Sequence, residues 1–178
     1  HTVELAENAA QARTVRESGI GHRALALDAI PAPLPPDSQR MQLAREQALL
    51  PRYRARLVAL IAQCRAQGAH PVLLTQPCIA ANVMDTALTR KLQDLHLLTG
   101  TDGRTLLERL DVINRMTRTV AREQEVPLID LAHELPGGPA HFYDAFHFTK
   151  AGSVAVAALC ADRLTAYLSA RFPQHLTH

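Results

Sequence analysis

The sequence predicts an α/β fold with a parallel sheet and helices on both of its faces. Two short and mostly apolar runs, residues 72–74 (VLL) and 126–131 (VPLIDL), are typical of strands buried in a parallel sheet. Each run follows a longer segment whose apolar residues recur at spacings of three, four and seven. That spacing is the period of an amphipathic helix, so each helix-then-strand pair is half of an α/β unit.

Helical patterns of different strength surround these two strands. Residues 1–18 form a loose apolar stripe, and residues 41–67 form a helix that Pro51 either kinks or restarts. Residues 85–98 are weakly helical, whereas residues 105–123 are strongly so. The order of the elements is therefore helix, strand, two helices, strand, loop and a last helix.

Two helix ends carry more detailed predictions. Thr105 and Glu108 have the spacing of an N-terminal capping box for the strong helix. The last helix begins after Thr149 and places an apolar face toward the core. That face consists of Val154, Ala157, Cys160, Leu164, Tyr167 and Leu168.

Two strands are too few for a stable parallel sheet. Residues 23–40 contain four prolines and cannot form one regular element. Residues 24–30 could form a short extended piece, and the rest reads as a long surface loop that leads into a helix. Either strands are hidden in residues 22–30, or the missing strands are supplied from outside this segment. We favour the second explanation.

Composition and charge argue against several classes of function. A chain of 178 residues that is 47% hydrophobic and 20% charged is one domain of ordinary globular composition. Its net charge of +2 and scattered arginines do not predict a nucleic-acid partner. No apolar run approaches the ~20 residues of a transmembrane helix. Cys64, Cys78 and Cys160 are too widely spaced for a CxxC metal site and are expected to be small buried side chains.

The loop of residues 141–152 (HFYDAFHFTKAG) carries the candidate catalytic residues, Asp144 and His147. It follows the second strand, so it should lie at the carboxyl edge of the sheet, where sites form in open parallel sheets. His147 could then act as a general base, with Asp144 holding its tautomer. Three phenylalanines, Phe142, Phe146 and Phe148, would limit the access of water. A surface loop that caps a helix would contain the same residue types, so this alternative stays open.

YDAFHFTKAG resembles the C-terminal block of the SGNH (GDSL-type) hydrolase superfamily, which is D-x-x-H followed by a polar residue and a glycine before the last helix. PVLLTQP resembles a strand and loop midway through many of these bacterial enzymes. The helix with Asn114, followed by VPLIDL, resembles the segment that precedes the D-x-x-H block. The resemblance covers most of residues 50–170 in the family's order.

This resemblance implies a three-layer α/β/α hydrolase of SGNH or flavodoxin-like architecture that needs no cofactor. Its substrates would be small-molecule, carbohydrate or lipid esters. His147 and Asp144 would be two members of a Ser-His-Asp triad, and glycine and asparagine donors would complete an oxyanion hole.

The nucleophile and oxyanion blocks of that family are missing from this sequence. It has no GDS and no GxND motif, and its serines, Ser18, Ser38, Ser153 and Ser169, lack the preceding strand that a nucleophile needs. We therefore expect residues 1–178 to be a single domain that lacks its N-terminal part. The first strands, with the serine, would then lie upstream, and this segment alone would be inactive.

Two other readings remain open. An SGNH-like domain without activity could serve as a binding or interaction module. A metal site is the other alternative, because His133, His141, Asp144 and His147 are clustered and are ordinary zinc ligands, although their spacing matches no standard motif.

Overall fold

The computed structural model describes residues 35–98 and 101–175, of which 65% are helical and 7% lie in strands. The segments of residues 1–18 and 24–30, for which the sequence predicts a helix and an extended piece, lie outside the described residues, as does Ser18. The elements in chain order are α1 (Pro36–Ala66), β1 (Leu73–Leu74), α2 (Thr86–Asp94), β2 (His96–Leu98), β3 (Thr101–Asp102), α3 (Gly103–Glu123), β4 (Leu128–Ile129), α4 (Leu131–Glu134), α5 (Lys150–Arg171) and a 3₁₀ turn (Pro173–His175).

The two predicted strands exist and pair with each other. β1 and β4 run parallel, with Leu73 opposite Leu128 and Leu74 opposite Ile129. The described residues contain one further sheet, the antiparallel hairpin of β2 and β3. Local apolar pattern therefore located the parallel strands correctly, although each is only two residues long.

The predicted three-layer α/β/α architecture with a parallel sheet is wrong. In the described part of the chain the two sheets are tiny, and a pair of two-residue strands cannot form a layer between two layers of helices. The apolar runs predict strands of a larger sheet. In the described residues the most extensive packing is instead between helices, with α1 and α2 both lying against α3.

α1 is one continuous helix through Pro51. It starts with Pro36 at its first position, where the missing N–H costs nothing, five residues before the predicted start. It ends at Ala66, and Gly68, the residue predicted to close it, has a φ of +73° that allows a Schellman turn. In this turn the N–H of Ala69 donates to the carbonyl of Cys64 at 2.9 Å.

The middle of the chain departs from the predicted pattern. The weak helix predicted for residues 85–98 ends at Asp94, because residues 96–98 form the first strand of the hairpin. α3 starts at Gly103, and its cap is Asp102, whose carboxylate accepts the N–H of Thr105 at 2.7 Å. The predicted capping box of Thr105 and Glu108 is therefore wrong, because an aspartate one turn earlier takes the capping role.

α1 packs along α3 and closes the apolar core beneath the two parallel strands. Ile61 of α1, Val120 of α3 and Leu73 of β1 belong to one buried cluster. Polar contacts join the helix pair at two points: the hydroxyl groups of Tyr53 and Thr117 are 2.8 Å apart, and Nε of Arg109 donates to Glu46 at 2.9 Å. A second buried cluster holds the hairpin, the segment after β1 and the candidate loop together; it includes Ile79, Leu92, Leu95, Leu106, Leu135 and Phe142.

α5 does not bury the face predicted for it. Gly152 is its one buried residue, whereas Val154 is 64% exposed and Leu168 is 44% exposed. Among the described helices, α5 is the one that is long and apolar enough to cross a membrane. A single helix that meets these two criteria is weak evidence for a transmembrane span.

The cysteines also differ from the prediction. Cys78 is buried as expected, but Cys64 and Cys160 are half-buried, and all three are free thiols.

Candidate active site: a histidine–aspartate pair beside the ends of two parallel strands

The loop of residues 141–149 is tied to the rest of the chain by its backbone. The N–H of Ile79 donates to the carbonyl of Ala145 at 3.1 Å, and the N–H of Tyr143 donates to the carbonyl of His147 at 3.0 Å. The buried ring of Phe142 packs against Phe148 with ring centroids 5.1 Å apart. These contacts hold the loop in one conformation and give Asp144 and His147 a fixed spacing.

The last helix starts where this loop ends. The hydroxyl of Thr149 accepts the N–H of Gly152 at 3.0 Å as the N-cap of α5, and it donates to the carbonyl of Ala140 at 2.6 Å. Gly152 approaches the loop so closely that a Cβ atom there would lie 2.0 Å from the carbonyl oxygen of His141. The Thr149 and Gly152 of the sequence motif therefore fix the loop to the helix.

The structure brings Asp144 and His147 together. The Nδ1 atom of the imidazole lies 2.8 Å from Oδ2 of Asp144 and 3.0 Å from Oδ1. Oδ1 also accepts the backbone N–H groups of His147 at 2.8 Å and Phe146 at 2.9 Å. A carboxylate held by two amides of its own loop has a defined orientation, so it can fix the ring that it contacts.

The environment keeps this carboxylate ionised. Partial burial of Asp144 would by itself raise the pKa of its carboxyl. The N–H groups of His147 and Phe146, and then the imidazole, together outweigh burial, so the pKa is lowered from its ordinary value of 3.8. The Asp144 side chain is 20% exposed, whereas that of His147 is 48% exposed, so the imidazole is accessible.

An aromatic ring that the sequence analysis did not single out lies against the imidazole. Tyr143 stacks on His147 with centroids 5.7 Å apart and an angle of 18° between the planes. Phe142, one of the three phenylalanines predicted to limit the access of water, is instead directed into the core. Tyr143 directly precedes Asp144 and has no helical or strand periodicity, so no sequence signal distinguished it.

The carboxyl ends of β1 and β4 meet beside this loop, as expected for parallel strands. The hydroxyl of Thr75, after β1, donates to Oδ1 of Asp130, after β4, at 2.7 Å. Arg118 of α3 donates to both oxygens of Asp130, at 2.8 and 2.9 Å. The hydrogen bond from Arg118 is the main reason that the pKa of Asp130 is lowered, while burial opposes it. Asp130 thus joins both strand ends to α3.

Two clefts open at these strand ends. One, the edge groove, has a volume of about 300 Å³ and is lined by Leu74, Thr75, Ile113, Asn114 and Phe148, among others. The other measures about 380 Å³ and shares Gln76 and Asn114 with the edge groove. Neither Asp144 nor His147 lines either cleft. Phe148 is the member of the candidate loop that reaches the edge groove.

None of the described serines is placed to serve the pair. Ser38 and Ser153 lie in the first turns of α1 and α5, and Ser169 lies near the end of α5. Burial raises the pKa of the Cys78 thiol to about 11, which makes this buried sulfur a poor nucleophile at neutral pH.

The proposed metal ligands do not form a cluster. Within residues 35–98 and 101–175, no three His, Cys, Asp or Glu side chains are placed to hold one metal ion. Asp144 contacts His147, whereas Nδ1 of His141 is buried without a hydrogen-bond partner. The alternative of a site built from His133, His141, Asp144 and His147 therefore has no support from the geometry.

No protein-family model, no curated protein and no solved structure is significantly similar to this chain.

Proposed function

We propose that this chain provides the histidine–aspartate pair of an ester-hydrolase active site, with His147 as the general base and Asp144 as the residue that orients it. The observation that carries the proposal is the distance of 2.8 Å between Nδ1 of His147 and Oδ2 of Asp144. It is supported by the amide hydrogen bonds that hold the carboxylate in place and by the resemblance of YDAFHFTKAG to the D-x-x-H block of SGNH hydrolases.

The proposed chemistry follows from the tautomer that Asp144 selects. A carboxylate beside Nδ1 favours a proton on that nitrogen, so the lone pair of the neutral ring is on Nε2. His147 would take the proton of a serine hydroxyl as that oxygen attacks the ester carbonyl. The ionised Asp144 would stabilise the resulting imidazolium, which returns the proton to the leaving alcohol.

We propose that the serine of this mechanism is supplied from outside residues 1–178, together with the donors that stabilise the oxyanion. The described serines lie in helices α1 and α5, and Ser18 has no strand before it in the sequence. The substrate is an ester of a small molecule, a carbohydrate or a lipid.

A fluorophosphonate probe applied to the full-length protein tests the proposal. The probe should label one serine, and His147→Ala should slow labelling by about 10²–10⁴-fold, which is the usual contribution of a general base. His133→Ala is the matched control, because His133 is an exposed histidine on the nearby helix α4. Failure of the wild-type protein to label would refute the hydrolase proposal.

One observation favours a second candidate, an inactive domain that binds a partner or ligand through the same loop. The described serines Ser38, Ser153 and Ser169 lie in helices α1 and α5 and not in the loop that carries the pair. Absence of labelling in the folded wild-type protein would favour this candidate, because an inactive domain has no activated serine for the probe to modify.

A further inference from the structure

We propose that Tyr143 is a positioning residue for His147, whose ring it holds at one face while Asp144 holds it at Nδ1. This inference rests on the proposed hydrolase function and gives that site a third member. Its first basis is the contact between the two rings, whose centroids are 5.7 Å apart and whose planes form an angle of 18°. Aromatic rings that stack with centroids about 4.5–7 Å apart attract one another.

The backbone of the loop places the two rings together. The N–H of Tyr143 donates to the carbonyl of His147 at 3.0 Å. This hydrogen bond lies next to an antiparallel bridge between Phe142 and Phe148. Tyr143 and His147 are therefore opposite one another across a short hairpin, in which the side chains of facing residues contact each other.

The two faces of this hairpin carry different kinds of ring. The buried side chain of Phe142 packs against Phe148 with centroids 5.1 Å apart. Neighbouring residues of a strand point to opposite faces, so Tyr143 and His147 lie on the other face. Tyr143 is half-buried and His147 is exposed. The tyrosine ring is therefore beside the accessible imidazole and is not part of the core.

Asp144 by itself holds the imidazole at one point. Its two oxygens lie 2.8 and 3.0 Å from the ring, and both contacts are made to the same nitrogen, Nδ1. A ring that is held at one atom can swing about that atom, and the exposed side chain of His147 has room to do so. A second ring against its face restricts this motion. Asp144 and Tyr143 thus hold the imidazole at an edge and at a face.

Tyr143 also faces the charge that develops on the ring. In the proposed mechanism His147 becomes an imidazolium when it takes the proton of the serine. The face of a tyrosine ring attracts a cation that lies within about 6 Å of its centroid. The separation of 5.7 Å is within that range. The contact therefore strengthens as the charge forms, which is the condition for an interaction to accelerate the chemical step.

Nitrogen NMR of the full-length protein with isotope-labelled histidine tests the position of the ring without reference to activity. The signals of His147 are identified by their loss in His147→Ala. In the neutral ring we expect the proton on Nδ1, beside Asp144, and none on Nε2. In Tyr143→Leu the minor tautomer should increase by about two- to tenfold, the range that corresponds to the loss of one aromatic pair. Tyr143→Phe should match the wild type because it keeps the ring.

Turnover of a short-chain aryl ester by the same variants tests the role of the contact in catalysis. Tyr143→Leu should lower kcat by about two- to tenfold and leave KM nearly unchanged, whereas Tyr143→Phe should keep most of the wild-type rate. Tyr167→Leu is the matched control, because Tyr167 is a half-buried tyrosine near the end of α5. Tyr143→Thr is a second variant without a ring, and its β-branched side chain suits a hairpin if Tyr143→Leu does not fold.

Three outcomes would overturn the proposal. The first is a wild-type tautomer and wild-type kcat in both Tyr143→Leu and Tyr143→Thr. The second is an equal loss in Tyr143→Phe and Tyr143→Leu, because the hydroxyl and not the ring would then position the imidazole. The third is a lower melting temperature with an unchanged tautomer, which would limit Tyr143 to stabilising the hairpin. A changed tautomer in a protein that labels no serine would confirm that Tyr143 orients the imidazole and would place the failure in the hydrolase proposal.

Discussion

Asn114 of α3 forms a two-point contact with the backbone of Gln76. Its Oδ1 atom accepts the N–H of Gln76 at 2.8 Å, and its Nδ2 atom donates to the carbonyl of the same residue at 2.9 Å. Asn114 is 4% exposed, so water cannot replace it. The side-chain amide of Asn114 therefore joins α3 to the backbone that follows β1.

Asn114→Ala should lower the free energy of unfolding by about 1–3 kcal/mol, because it leaves two backbone groups without their partner. Urea unfolding measured by circular dichroism checks this value. Asn114→Asp is the informative comparison, since it keeps an acceptor for the N–H of Gln76 but faces its carbonyl with a second acceptor. A loss below the experimental error in both variants would contradict the structural role.

The two members of the His–Asp pair should differ in their effect on activity. In the full-length protein we expect His147→Ala to lower ester turnover by about 10²–10⁴-fold, because it removes the base. Asp144→Asn should lower it less, since an amide oxygen can still accept the N–H groups of Phe146, His147 and the ring. Turnover of a short-chain aryl ester checks both variants. A larger loss in Asp144→Asn would show that Asp144 does more than orient the ring.

The sequence predicted short-range features better than the arrangement of elements. β1 and β4 were found because a dense apolar run is a local property, and the Asp144–His147 contact was found because three residues separate its members. The extent of the sheet was not predictable in this way. It depends on whether further strands pair with β1, and no pattern within residues 72–74 reports what lies beside them.

Two local errors have the same physical origin. Residues 95–98 continue the apolar spacing of a helix, yet the alternation of Leu95 and Leu97 into the core favours a strand. Thr105 has the chemistry of an N-cap, but Asp102 caps the same helix one turn earlier. In both cases two local interpretations were possible, and tertiary packing selected one. The exposure of α5 is the larger error, because its apolar face predicts burial that the described residues do not provide.

Asp130 should make stability depend on pH in the acid range. The pKa of its carboxyl is lowered from the ordinary value of 3.8 in the folded chain, so the ionised form is the one that stabilises the fold. This contribution is fully present above about pH 4 and is lost as the pH falls through the lower pKa of the folded state. Asp130→Asn should therefore destabilise the chain by about 1 kcal/mol at neutral pH, a value discounted for partial exposure.

Urea unfolding of the wild type and Asp130→Asn between about pH 7 and pH 2 checks this prediction. The difference between the two free energies of unfolding should shrink on acidification. Asp111→Asn is the control, because Asp111 pairs with Arg115 on the exposed face of α3. A difference that grows as the pH falls would mean that Asp130 stabilises the fold in its protonated form.

Gly152 should tolerate no side chain. A Cβ atom there would lie 2.0 Å from the carbonyl oxygen of His141, which also accepts the N–H of Thr149 at 2.9 Å. Both the carbonyl and the backbone of Gly152 are therefore held in place by Thr149. Gly152→Ala should cost about 1–3 kcal/mol of stability through this overlap and should displace the loop that carries Asp144 and His147. Thermal unfolding and the amide resonances of the loop measure the two effects. Ala151→Ser, one residue earlier and exposed, should leave both unchanged.

Cys78 should resist thiol reagents in the folded chain. It is 1% exposed, and burial raises the pKa of its thiol to about 11, so about one molecule in 10³ carries a thiolate at pH 8. Cys64 and Cys160 are half-buried and should react first with an aromatic disulfide reagent. Counting released chromophore before and after unfolding in urea measures the difference. Cys78→Ser should leave the fast phase of the reaction unchanged and should remove the chromophore release that appears only on unfolding. Rapid modification of all three thiols in the folded chain would show that the core around Ile79 opens readily.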